Sequence, residues 1–138
     1  MRTILYSLLV LTTNVLTAQT ATKEQTSSDL PELPMTKGIN LHIISPEPIQ
    51  YVDLSTEKLT GDLPAATIGR IKIADDPVHE SDNTQSPASF FIGENIGIIT
   101  IVGQSFITQY KAVYRNSKDR NTVTNIHIQP EDMQPVEF

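Results

Sequence analysis

The densest hydrophobic pattern runs through residues 95–114, NIGIITIV followed by Gly103, Gln104 and SFITQYKAVY. In the first half, strict alternation would place Ile96, Ile98, Thr100 and Val102 on one face and Ile99 and Ile101 on the other. A strand apolar on both faces belongs in the middle of a packed sheet. The second half alternates cleanly, with Phe106, Thr108, Tyr110, Ala112 and Tyr114 opposed by Gln109 and Lys111. That is a strand with one buried and one wet face. Gly103-Gln104 between the two halves predicts a two-residue type II′ hairpin, in which Gly103 supplies the positive φ.

Shorter patterns flank this hairpin. Residues 39–45 place Ile39, Leu41 and Ile43 on one side, and Pro46 and Pro48 then interrupt any ladder. Residues 49–54 resume an extended pattern, and residues 55–65 read as a long connection with at most a short strand near Leu59. Residues 67–73 alternate Ile71 and Ile73 against Arg70 and Lys72, with Gly69 suited to a bulge. Residues 88–92 predict a short strand turning through Gly93 and Glu94 into the hairpin, and residues 122–128 predict the last strand. No segment after residue 18 carries helical periodicity. The expected fold is an all-β, Ig-like antiparallel β-sandwich of about seven strands, spanning residues 39–128.

The ends read differently. Residues 1–18 combine Arg2 with an apolar run from Ile4 to Leu11 and end in small Ala18. This is the pattern of a secretory signal peptide, too short and too interrupted to span a bilayer. Residues 19–38 are rich in Thr, Ser, Lys, Glu and Pro, and predict a flexible arm. Residues 129–138 predict a tail or a link to an absent second domain. The chain has no cysteine, so neither disulfides nor a lipid-bearing thiol enter the picture. Its net charge of −6 becomes −7 without Arg2, which argues against direct nucleic-acid binding.

Candidate chemistry is thin. The loop at residues 74–87 holds Asp75, Asp76, His79, Glu80 and Asp82, but lacks the ligand order of a calcium loop, and a solvated acidic loop is expected. His42, His79 and His127 are scattered and form no zinc-binding spacing. Ser105 sits in a turn rather than in a nucleophile elbow, and Gly93, Gly97 and Gly103 do not form a phosphate loop. Asp53 with Asp62, or Glu47 with Asp53, have the residue types of a glycosidase acid–base pair, but such pairs arise by chance in any acidic chain. A non-catalytic role with no metal or cofactor is expected. Unpaired sandwich edges beside prolines remain as the natural place for a partner to add.

Three stretches carry a resemblance: LHIISPEPIQYVDLST (residues 41–56), LTGDLPAATIGRIKI (59–73) and GENIGIITIVGQSFITQYKAVY (93–114). Together they resemble the TraN family of conjugative transposon proteins from Bacteroidetes. The third, with its G-x-x-T-I-V-G-x-x-F-x-x-Q-Y order, is the most specific. The resemblance implies an exported structural component of a type IV secretion-like conjugation apparatus, in the periplasm or at the outer membrane. Expected partners are other transfer-apparatus subunits or further copies of this chain, with membrane association only through those partners. No catalytic residue is implied. Gln109, in the shared Gln-Tyr pair, is the candidate partner-binding residue, expected to pair with backbone at a sheet edge or to face a partner. The alternative from another class is a secreted ligand- or glycan-binding sandwich, against which the absence of Trp counts.

Overall fold

The computed structural model describes residues 24–75, 90–116 and 121–136. The predicted signal peptide and nearly all of the acidic loop lie outside these residues. Nine strands follow in chain order: β1 (Glu32–Met35), β2 (Leu41–Ile44), β3 (Tyr51–Leu54), β4 (Leu59–Ala65), β5 (Ile68–Ile73), β6 (Asn95–Val102), β7 (Phe106–Tyr114), β8 (Asn125–His127) and β9 (Gln134–Pro135). Only two single-turn 3-10 segments, Ser27–Asp29 and Pro130–Asp132, interrupt the β structure among the described residues.

The strands form two sheets. One has the order β1-β7-β6-β3 with β9 also on β7, and the other β4-β5-β2-β8. Their inner faces share one core. Leu33, Met35, Ile96, Ile99, Ile101, Phe106, Tyr110 and Ala112 come from the first sheet, and Leu41, Ile43, Leu59, Ile71 and Ile73 from the second. The all-β sandwich expected from the sequence is therefore present, but its sheets are mixed. β1 runs parallel to β7, and β8 parallel to β2.

The parallel pairs come from segments read as peripheral. The arm is a strand in its last part: Leu30, Leu33 and Met35 are buried, Lys111 N–H donates to Pro31 O at 2.9 Å, and Arg115 N–H donates to Met35 O at 2.9 Å. Three apolar side chains in six residues anchor it, although the surrounding prolines and polar residues mask the pattern. The tail also returns. β9 pairs with β7, and Asp132 O accepts the Thr108 hydroxyl at 2.7 Å. The folded unit thus extends beyond residues 39–128 at both ends.

The central hairpin is present, with two corrections. β6 lies between β7 and β3, as its two apolar faces require. A bulge between Asn95 and Gly97 inserts Ile96 as an extra residue, which brings Ile96 into the core with Ile99 and Ile101 rather than with Ile98. The turn is also shifted by one residue. Val102 pairs with Ile107, and Gly103 N–H donates to Phe106 O at 2.9 Å, leaving Gln104 and Ser105 as the loop. Among the described residues only Gly38 and Gly93 have positive φ, so the turn is not type II′.

A carboxylate shapes it instead. Glu47, from the β2–β3 connection, accepts the Ser105 N–H at 2.6 Å and the Ser105 hydroxyl at 2.9 Å. A Cβ on Gly103 would lie 2.7 Å from both Glu47 Oε1 and the Phe106 ring. Gly103 is thus required for close approach, not for its φ.

Two further expectations change. Residues 90–92 are not a strand but the approach to a turn at Gly93, whose φ is +87°. The connection at residues 55–65 contains the seven-residue β4, in which a register shift between Asp62 and Ala65 places the bulge opposite Gly69.

Candidate functional site

The residues singled out for chemistry are dispersed. Of the acidic-loop group only Asp75 is described, and it pairs with Lys72 at 3.2 Å; Asp76, His79, Glu80 and Asp82 lie outside the described residues. Among the described residues no three metal-ligating side chains gather. On the outer face of the second sheet, register aligns Asp62, Arg70, His42 and Asn125 in one cross-strand row. Arg70 Nε donates to Asp62 at 2.8 Å, and its second nitrogen also engages that carboxylate. This forked hydrogen bond, with the nearby guanidinium charge, holds the Asp62 pKa below the usual carboxylate range. His127 is exposed on β8, beside Ile44 rather than in that row.

The proposed carboxylate pairs have structural occupations. Glu47 is committed to the hairpin turn, and its pKa is lowered chiefly by the Ser105 N–H, with the Ser105 hydroxyl and the Gln104 backbone adding to the effect. Asp62 belongs to Arg70, and Asp53 stands exposed on β3. Ser105 donates its hydroxyl to a carboxylate, with no imidazole in the bond to act as base. Gln109 lies half-buried on the outer face of β7, alternating with the core residues Thr108 and Tyr110. Its side-chain nitrogen donates to Thr100 Oγ1 at 3.0 Å, across a register pair of β7 and β6.

A different feature emerges where the two sheets end together. β3 closes one sheet and β4 the other, and the two strands lie side by side. Between them opens a groove of about 260 Å³ lined by Gln50, Tyr51, Val52, Leu54, Gly61, Asp62 and Leu63. Gly61 is the glycine of its floor, with Gly69 on the neighbouring strand. A Cβ at Gly61 would lie 2.9 Å from the Arg70 carbonyl, while that of Gly69 would meet Ile49, Val52 and Leu63, each at 3.9 Å. Tyr51 at the rim is 55% exposed and Leu63 40%.

The backbone supports the same picture. Ser55 N–H donates to Ile98 O at 3.0 Å, so alternation along β3 points the Val52 and Leu54 amides away from β6. No strand pairs with that side of β3 among the described residues. β4 is blunted by its bulge and by Pro64, which has no N–H to give. β3 contains neither device. Sequence reasoning missed this site because β4, with Gly61 and Pro64, reads as a loop; the one available signal was Asp62, able to pair with an outward Arg70 across two strands.

A second exposed apolar element lies near the start of β6. Phe91 and Ile92 are 81% and 67% exposed at the tip of a turn. That turn is fixed by Glu94, whose N–H donates to Phe91 O at 2.9 Å and whose carboxylate accepts Phe91 N–H at 3.0 Å. Below it the Phe90 ring packs against Tyr114, with ring centres 5.6 Å apart, and the Lys37 and Lys58 ammonium groups lie 5.5 and 5.7 Å from its centre. No helix among the described residues is long and apolar enough to cross a membrane. Comparison with known proteins finds no matching family model and no matching curated protein, so the TraN resemblance rests on the residues that carry it.

Proposed function

We propose that the protein is a non-catalytic assembly subunit that docks another polypeptide along its β3–β4 edge. One observation carries the reading: both sheets end on the same side, around a glycine-floored groove with Tyr51 and Leu63 exposed at its rim. At about 260 Å³ the groove is smaller than most small-molecule pockets, but it suits one or two apolar side chains of a protein partner. The outward Val52 and Leu54 amides and carbonyls add a row of backbone hydrogen-bonding groups along the same edge. Every carboxylate and hydroxyl singled out for catalysis, Asp53 excepted, is occupied in a structural contact.

The TraN resemblance supplies the setting: an exported component of a conjugative transfer apparatus, with other transfer proteins as partners. The test is co-purification of the protein with the transposon's transfer proteins, comparing wild type with Leu63→Arg. Wild type is expected to retain at least one transfer protein, and the variant to lose most of it while keeping its β-sheet spectrum and unfolding midpoint. A wild-type chain that stays partnerless beside all of them, or a variant that captures as well as wild type, would overturn the reading.

A further inference from the structure

The free edge of β3 prescribes the side chains of a strand added to it. Val52 and Leu54 turn toward the core yet are only half-buried, while Tyr51 and Asp53 stand exposed on the outer face. The Val52 and Leu54 amides point away from β6, so an added antiparallel strand would bond to these two residues. Its residues opposite Val52 and Leu54 would face inward, over the apolar side of the groove that Leu63 completes. The residue between them would lie opposite Asp53 in a non-hydrogen-bonded pair, where facing side chains come closest. Asp53 makes no hydrogen bond or ion pair among the described residues.

The opposite edge of the same sheet shows this pattern already filled. There β1 supplies Leu33 and Met35 to the core, and its outer-face Glu32 lies in register with Lys111, 3.8 Å from the ammonium group. At β3 the sign is reversed, because the sheet itself contributes the carboxylate.

We infer that the partner of this edge is a polypeptide segment in which a Lys or Arg stands between two apolar residues. The basic side chain meets Asp53, and the apolar pair closes over Val52 and Leu54. This rests on the docking role proposed for the edge. The chain's own segments are unsuited to the place. β1 would bring Glu32 against Asp53. Among the described residues the two triads of the required pattern, Ile71-Lys72-Ile73 and Tyr110-Lys111-Ala112, lie in β5 and β7, each already paired on both sides. The partner is therefore a different polypeptide.

Synthetic peptides supply the probe: Thr-Val-Thr-Val-Lys-Val-Thr-Val-Thr, and the same sequence with Glu in place of Lys. Each is titrated into the protein while its amide resonances are followed. The Lys peptide is expected to shift the Val52 and Leu54 amides and to bind several-fold more tightly than the Glu peptide. The net charge of −6 favours any cationic peptide, so two variants isolate the local contact. Asp53→Lys, at an exposed position, is expected to keep the unfolding midpoint and to lower the Lys-to-Glu affinity ratio several-fold. Glu131→Lys makes the same charge change in the exposed turn beside β7, and is expected to leave that ratio nearly unchanged. Equal affinities for the two peptides, equal ratios in the two variants, or no shift of the β3 amides would overturn the inference. Capture of transfer proteins keeps the two levels of the account apart. If Leu63→Arg abolishes capture while Asp53→Lys leaves it unchanged, the edge is a docking site and the basic partner is wrong. If Leu63→Arg captures as well as wild type, docking at this edge is wrong, whichever peptide the protein prefers.

Discussion

The two edges of the five-stranded sheet have been treated in opposite ways. At one edge β1 is laid onto β7 by the chain itself, with Leu33 and Met35 in the core and Glu32 placed 3.8 Å from Lys111 and 3.6 Å from Arg115. Pro34 deprives that strand of an outward amide that another strand would need. At the other edge β3 has no proline, turns two amides outward and opens on an apolar groove. A strand added in cis satisfies the first edge. The second has the chemistry of an edge waiting for a strand or side chain from elsewhere, which is why the assembly role is placed there.

The sharpest way to break this comparison is to truncate one apolar side chain on β1 and one at the rim of the β3–β4 groove. Met35→Ala is expected to destabilise the fold by about 2–5 kcal/mol, because Met35 is 1% exposed and its loss leaves a cavity. Leu63→Ala is expected to cost less than about 1 kcal/mol, since that side chain is already partly in water. Denaturant titration of both variants checks the pair. Equal losses would mean that the β3–β4 edge is as much a part of the core as β1.

The hairpin between the two edges offers a smaller effect. Gly103→Ala is expected to cost about 1–3 kcal/mol, because the new methyl must displace both the Glu47 carboxylate and the Phe106 ring. Equilibrium unfolding of this variant reads the cost. A neutral result would show that the turn tolerates a side chain and that Glu47 does not hold it closed.

The contrast between edges also explains how far the sequence could be read. Strong alternation made β5, β6 and β7 legible, since Ile71 and Ile73, or Phe106 and Tyr110, repeat with period two over a buried face. β1 was hidden because its pairing is long-range and its apolar residues sit between prolines. β4 was hidden because its outer residues, Thr60 and Asp62, face water beside Gly61 and Pro64, leaving Leu59 as its only buried residue. The turn at Gln104-Ser105 depends on Glu47, 58 residues away from Ser105 and outside any local turn rule. The β3–β4 groove arises only where two edge strands meet, and no local pattern encodes that meeting.

Two pH effects refine the picture at lower amplitude. The Glu47 pKa is depressed in the folded state, so its clip on Ser105 contributes above the ordinary glutamate range and is lost as pH falls through the folded value. Amide exchange at Ser105, corrected for its intrinsic pH dependence, is expected to lose protection on acidification, and Glu47→Gln to abolish that pH response. Burial pushes the Tyr110 phenol up to about 12, aided by the Asp132 carboxylate that accepts its hydroxyl at 3.3 Å. Its contribution is therefore complete below about 10, the ordinary tyrosine value. It is lost as pH rises through about 12. Tyr110→Phe should flatten the alkaline limb of the stability profile.

Amide hydrogen exchange along β3 tests the central claim most directly, measured first on dilute protein and then with rising protein concentration or with a transfer protein added. In dilute solution the Val52 and Leu54 amides are expected to exchange much faster than the core amides of β6, and then to gain protection as the partner occupies the edge. Protection already complete in the dilute protein, or exchange unchanged at every concentration and with every partner, would contradict an open docking edge.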